Sequence, residues 1–423
     1  MRQINSQNFV AMFFATIVML MSVIAFGKGL GLENGSIKLK EKKGKGRYYK
    51  ADKINLVVLE GNYKEMGRQY GAFLKKEIHS MYEDAIENTF FKTKVTSYEK
   101  LKESYADRTW NSLPARLKQL FMGVSETSGL STEKLVMLNG YISVAILHIG
   151  KMFGPKGIGT CSFMAVWNDY TTNGKTLVGR NFDWLYKFQN YFPYLTVAVY
   201  KPNDGSNSVA TLGYAGCIGT YTGLNDKKLF LDLNSGAHSG GCVLYDNKAS
   251  YKNEILSLFL DATNLKGLEN RIFTIRPDWA TIVNIANPDK AYTFENAPFK
   301  TLKRTSENNG LLVATNQYRL KNWGLPLRSG PGVTYSNKRY DNLVSLANKY
   351  KGNIDEKIMM HIFDQNLYDK NGKFLNGPTK TYLIGEQDVT DYQIICNPDE
   401  YKIWVKVPLH TDWIFIDLSK YFF

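Results

Sequence analysis

The chain has 423 residues, 44% of them hydrophobic, and a formal net charge of +14 at pH 7, enough apolar material for a large core. Four cysteines are too few for a disulfide framework in a chain of this size, and no CxxC or His-rich cluster suggests a zinc site. Much of the positive charge sits in residues 28–50, where eight Lys and Arg face only Glu33 and Glu41. No nucleic-acid motif accompanies it, so nucleic acid is excluded as the partner.

The N-terminus carries Met1-Arg2 and then an uncharged run, "FVAMFFATIVMLMSVIAF", at residues 9–26. This predicts a secretory signal over residues 1–27, with Ala25-Phe26-Gly27 at the cleavage site. The run is also almost long enough to span a bilayer, so an uncleaved anchor is the rival reading. Either way the protein is expected outside the cytoplasm, periplasmic or extracellular. Residues 28–51 read as a flexible basic linker suited to contact with anionic lipid or envelope polymers.

Residues 52–160 read as mainly helical. "INLVVLEG" predicts a strand at residues 54–60, followed by a turn at Gly61-Asn62 and a long helix with Met66, Tyr70, Phe73, Leu74, Ile78 and Met81 at helical spacing. In "LSTEKLVMLNGYISVAIL", Ser131 or Thr132 is placed to cap another helix. A Gly/Pro-rich loop, "MFGPKGIGT", ends this region. Strand signals dominate from Cys161: "SFMAVW", a turn at Asn173-Gly174, "TLVGRNFDW", "YLTVAVYKP", "SVATLGYAG" and "KLFLDLN". A helical stretch at 252–271 precedes the hairpin "WATIVNIANPDKAYTFE" and the strand "GLLVATNQY". Helices return near 336–350 and 354–365, and the chain closes on "TYLIGEQ", "DYQIICNP" and "YKIWVKVP" as strands. The whole is an α+β pattern.

Cys161 poses the chemical question. A thiolate is a strong nucleophile, but an ordinary cysteine is mostly protonated at neutral pH and needs a base. The five histidines are scattered, and none lies near Cys161 in sequence. A nucleophile at a chain terminus has another base, its own α-amine, with a pKa of about 7.7–8.0 in model peptides. That requires a cut between Thr160 and Cys161, and the Gly-rich loop ahead of them is flexible enough to permit one.

"C-S-F" opening a strand, a turn, and then "GRNFDW" resembles the N-terminal-nucleophile amide hydrolases, the branch of choloylglycine hydrolases, penicillin V acylases and isopenicillin-N acyltransferases. The segments "LEGNYKEMGRQYGAFLKKEI" and "LSTEKLVMLNGYIS" resemble the pro-segment of the acyltransferase-like (acyl-CoA:6-aminopenicillanic acid) subfamily. The resemblance covers residues 52–420 and is most specific at 159–184. It implies a four-layer αββα sandwich, with residues 28–160 retained as a light chain and 161–423 as the catalytic heavy chain. It implies Cys161 as nucleophile, with Arg180 and Asp183 holding its thiol and amine. "GLNDKKLFLDLNSG" places an oxyanion-hole residue at Asn234, although its spacing from Asn225 is one residue short of the family pattern. "VATNQY" places Asn316 at the same site, and "YSNKRYDNL" places Arg339 beside the nucleophile. Trp184 and Phe188, soon after the Asp, are expected to line the acyl pocket.

Taken singly, these residues have plainer readings. Cys161 reads as a small buried hydrophobe, Arg180 and Asp183 as an ion pair, Asn316 as a strand-end cap and Arg339 as a solvated helix residue. Jointly they imply autoproteolytic activation and cleavage of an N-acyl amide through an acyl-thioester, with no metal or organic cofactor. The substrate class runs from bile-salt conjugates and penicillin V to N-acyl amino acids. Acyl transfer to an amine shares the intermediate, and a non-catalytic envelope-binding protein on the same fold is the alternative of another class. The partners implied are a small N-acyl substrate and the chain's own pro-segment; a homo-oligomer is compatible with the pattern. Cys217 and Cys242 lie in adjacent β-rich segments and are candidates for one disulfide.

Overall fold

A computed structural model of the chain describes residues 37–145, 161–185, 191–219, 221–236, 251–306, 308–324, 331–366, 379–380 and 387–423. The signal or anchor segment, the loop ahead of Cys161 with Thr160, and Phe188 lie outside the described residues. The architecture is α+β, with two antiparallel-rich sheets and helices against both.

The larger sheet has ten strands in the order β1-β2-β3-β6-β7-β8-β9-β10-β11-β12. Its first three are β1 (Ile37–Lys43), β2 (Gly46–Ala51) and β3 (Ile54–Gly61). The middle four are β6 (Leu195–Pro202), β7 (Val209–Tyr214), β8 (Thr222–Asn225) and β9 (Phe230–Ser235). The last three are β10 (Thr281–Asn287), β11 (Lys290–Ala297) and β12 (Lys300–Arg304). The second sheet runs β13-β4-β5-β15-β16-β17, with β14 (Thr379–Lys380) paired to β15 off this path. It comprises β4 (Ser162–Val166), β5 (Leu177–Leu185), β13 (Leu311–Ala314), β15 (Gln387–Asn397), β16 (Lys402–Lys406) and β17 (Ile414–Asp417).

The basic linker expected at 28–51 is corrected over its described part. Residues 37–51 form the β1–β2 hairpin, which continues into β3 as an antiparallel edge. The tertiary reason is that β3 pairs in parallel with β6, which extends the sheet outward and offers β2 an edge. Six of the seven β1 residues are exposed, and Lys38, Lys40, Lys42 and Lys43 among them blunt the free edge as charged residues do.

The strand β3 is buried on nearly every residue because the helix Tyr63–Phe73 packs on it. Asn62 caps this helix in a capping box: its Oδ1 accepts from Glu65 N and its own N–H donates to Glu65 Oε2, both at 2.9 Å. Further on, Ser131 rather than Thr132 caps the helix Thr132–Asn139. Residues before and after position 160 share one core: Leu56, Met66 and Ile78 lie in the same cluster as Val197, Leu231 and Ile282. A second cluster lies where the helices Pro331–Lys349 and Glu356–Asn366 cover β4, β5, β13 and β15, bringing Leu343, Met359 and Phe363 onto Met164, Val166 and Ile395.

Candidate functional site

Cys161 immediately precedes β4, which pairs antiparallel with β5 so that Ser162 lies opposite Asn181 and Phe163 opposite Arg180. The two-residue side-chain period of a strand then sorts the site into two levels. Cys161 shares a face with Phe163, Arg180, Phe182 and Trp184. Ser162, Asn181 and Asp183 face the other way, toward the helices Pro331–Lys349 and Glu356–Asn366. Arg180 and Asp183, expected as a pair, are therefore turned to opposite sides of β5.

On the first level Arg180 is fully buried and spans from one sheet to the other. It donates to Tyr221 O at 2.7 Å, to Leu233 O at 2.5 Å and to the Thr222 hydroxyl. Its Nη2 also lies 3.8 Å from Cys161 Sγ. Phe182 stacks on Tyr392 at 4.8 Å and lies under the Arg180 guanidinium. Burial works against the Arg180 charge, but Tyr392, Asp232 and Cys161 hold it firmly protonated.

On the second level Arg339 is also fully buried, not solvated as its position in an isolated helix suggests. It donates to Cys161 O at 2.5 Å, Ser162 Oγ at 2.8 Å and Asn316 Oδ1 at 2.7 Å, and lies 4.0 Å from Asp183 Oδ2. Its helix begins at Pro331, earlier than the expected start, so Ser336 and Arg339 sit one turn apart on one face. Ser336 Oγ accepts from Asn316 N at 3.1 Å and bonds Thr315 Oγ1 at 2.9 Å. The Ser-x-x-Arg spacing thus fixes the end of β13.

Asp183 accepts from Thr390 Oγ1 at 2.7 Å, and its backbone N–H faces the Cys161 thiol. Asn316 Nδ2 donates to Ser235 O at 2.9 Å. Asn234 Nδ2 lies 3.4 Å from Ala314 O and 3.3 Å from Thr315 O, so the ends of β9 and β13 are tied together beside the thiol. Trp184 is buried on β5.

Cys161 is only 4% exposed. Burial pushes its pKa up; Arg180 opposes this, Asp183's charge adds to it, and the hydrogen bonds from the Asp183 backbone and Arg180 pull it down. In the uncut chain its nitrogen is an amide and offers no base. Cys217 and Cys396 are free and buried. Cys217 Sγ lies 3.9 Å from Leu138 O, beneath the helix Thr132–Asn139, and Cys242, the other member of the candidate disulfide, lies outside the described residues. No group of three or more His, Cys, Asp or Glu able to hold a metal occurs among the described residues, and no described helix is long and apolar enough to cross a membrane.

Several members of this constellation carried no sequence signal. Thr222, Asp232, Thr390 and Tyr392 are distant in the chain and ordinary in their local context. Only strand pairing brings them to Cys161.

No protein-family model matches the chain. Protein dcd1B of Dictyostelium discoideum is 26% identical over 232 residues, 47% of this chain. The matched region spans 43% of the length of that curated relative. Among solved structures, the chain is similar to a conjugated bile acid hydrolase variant from Clostridium perfringens, with 16% identity, a TM-score of 0.44, and coverage of 62% of this chain and 93% of that one. It is also similar to the N-acylethanolamine-hydrolyzing acid amidase ortholog of Caenorhabditis elegans, at 15% identity and a TM-score of 0.38, covering 62% and 97%. A penicillin V acylase from Agrobacterium tumefaciens matches at 12% identity and a TM-score of 0.42, covering 62% and 87%.

Proposed function

We propose that the protein is an autoproteolytically activated amide hydrolase whose nucleophile is Cys161 at the head of the mature heavy chain. The observation that carries this reading is the convergence of two fully buried guanidiniums, Arg180 and Arg339, on the thiol and carbonyl of one cysteine. Burying two such cations beside a structural thiol is costly, and a structural thiol needs neither. The two sheets with helices against each are read as the four-layer αββα sandwich of N-terminal-nucleophile enzymes, and the upstream residues 28–160 as a retained light chain of the acyltransferase-like type.

In this reading, self-cleavage frees the Cys161 α-amine. The amine takes the thiol proton as Sγ attacks the acyl carbon of an N-acyl amide. The resulting oxyanion is met by amide N–H groups of Asn316 and Asn234. The tetrahedral intermediate collapses, the C–N bond breaks, and the leaving amine departs with the proton held by the α-ammonium. Water, deprotonated by the same amine, then attacks the thioester and releases the acid and the thiol. Asp183 is the carboxylate assigned to orient the α-ammonium, with Trp184 and Phe188 along the acyl chain. The leader at residues 1–27 exports the protein, and an exported enzyme does not readily meet acyl-CoA, so water is the second acceptor.

The test is a denaturing gel with N-terminal sequencing, followed by a panel of N-acyl amides. Wild type is expected as two chains, the heavier beginning at Cys161, and Cys161→Ala as one uncut, inactive chain. A wild-type chain that remains intact after full maturation, or activity that survives in Cys161→Ala, overturns the reading.

A further inference from the structure

We propose that Asp232 is the counter-charge of Arg180 and a positioning residue that acts through it, setting how much positive field the Cys161 thiol feels. The inference rests on Cys161 being the functional thiol, as argued above. Asp232 lies at the centre of β9, fully buried, with Thr222 of β8 and Asn284 of β10 as its register neighbours. All three side chains belong to one polar row across the sheet, which Thr293 of β11 extends. Thr293 Oγ1 donates to Asn284 Oδ1 at 2.8 Å, and Asn284 Nδ2 donates to Asp232 Oδ1 at 2.7 Å. Asp232 Oδ2 has no hydrogen-bond partner among the described residues.

A buried carboxylate with one oxygen unsatisfied calls for a cation. The cation facing it from the second sheet is Arg180 on β5, whose guanidinium bonds Thr222, the register neighbour of Asp232, and Leu233 O, the next residue along β9. The other titratable group facing it is Tyr392 of β15, whose hydroxyl lies 3.3 Å from Thr222 Oγ1 and which Asp232 helps to keep protonated. Burial pushes the Asp232 carboxyl up to about 6, against Arg180 and the Asn284 amide, which pull it down. The facing Arg180 guanidinium and the Asn284 amide favour its charged form.

The arrangement has a chemical use. An unopposed buried guanidinium beside Sγ would hold cysteine as a thiolate, and a thiolate of lowered pKa is a weaker nucleophile. A cysteine whose base is its own α-amine needs a proton to hand over. Asp232 draws part of the Arg180 field away from Sγ, while the carbonyls of Tyr221 and Leu233 and the Thr222 hydroxyl keep the guanidinium in place.

The test is Asp232→Asn, which keeps the shape and an acceptor for Asn284 but removes the charge. The measurement is the pH dependence of Cys161 alkylation by iodoacetamide in the purified protein, read at the Cys161 peptide by mass spectrometry. Removing the negative charge is expected to move the alkylation midpoint to lower pH by about 0.5–1 unit. An unchanged or raised midpoint in a folded variant overturns the proposal. Where Asp232→Asn does not fold, Asn284→Ala decides the matter: without its donor the Asp232 carboxyl titrates higher, and the Cys161 midpoint is expected to fall in the neutral range, an unmoved midpoint counting against the proposal. This readout needs no substrate. A wild-type protein that hydrolyses no N-acyl amide, yet shows the shift, sinks the functional reading and leaves the counter-charge standing.

Discussion

Replacing Asn316 by Ala and, in parallel, by Asp separates catalysis from stability at this site. The Asn316 side chain has two structural bonds: Oδ1 accepts from Arg339 Nη2 at 2.7 Å, and Nδ2 donates to Ser235 O at 2.9 Å. An amide nitrogen carries two hydrogens, so Ser235 O takes one and the second remains for an oxyanion. Loss of one such donor costs about 2.7–4 kcal/mol of transition-state stabilisation, a fall in kcat of roughly a hundredfold to a thousandfold. KM is expected to change little, because the ground-state carbonyl makes weaker use of the donor. Stability falls as well, since the buried Arg339 guanidinium loses an acceptor in a charge-assisted bond of about 1.5–3 kcal/mol. Asn316→Asp distinguishes the two losses: it returns an acceptor to Arg339 but supplies no N–H. The assays are kcat and KM on one N-acyl amide at equal folded fraction, with urea midpoints in parallel. Asn316→Ala is expected to be both slow and less stable, and Asn316→Asp slow but better folded. Near-wild-type kcat in Asn316→Ala, or recovery of kcat together with stability in Asn316→Asp, refutes the oxyanion role and leaves Asn316 as a structural tie.

Arg180→Met removes the cation that opposes burial of the Cys161 thiol. With burial and the Asp183 charge left to push the thiol up, the alkylation midpoint of Cys161 is expected at higher pH than in wild type, and a midpoint that falls contradicts the assignment. Gly179→Ala tests the floor of the site: a Cβ there meets Phe363 Cε2 at 2.0 Å, so the ring must move or β5 must shift. Overpacking of this kind costs roughly 1–3 kcal/mol, and a lowered urea midpoint with impaired self-cleavage is the expected result.

The sequence by itself determined what depends on neighbours along the chain. Strand signals in "SFMAV" and "TLVGRNFDW" marked both central strands, while Arg180 and Asp183, which read as a pair, are turned to opposite faces of β5 in the paired sheet. The Asn62 cap needed only residues 62–65, because N-terminal amides of a helix are satisfied locally. The spacing of Ser336 and Arg339 likewise placed them on one helical face.

Tertiary structure decided everything that depends on which strand lies beside which. The 37–51 segment is polar enough to read as linker, and becomes a hairpin because β3, parallel to β6, leaves an edge for β2 to pair with. Short β8, β12 and β17 were not resolved as separate strands, since a few residues carry too little pattern and gain their conformation from the ladder. Arg339 reads as a surface residue in a helix until Cys161 O, Ser162 Oγ and Asn316 Oδ1 give its charge a buried set of acceptors. Asp232 is one polar residue in a β-rich run, and its relation to Arg180 exists only where the two sheets meet. Local hydrogen bonding and side-chain period are written in a few consecutive residues. The compensation of a buried charge is a property of distant segments brought together, and no stretch of the chain contains it alone.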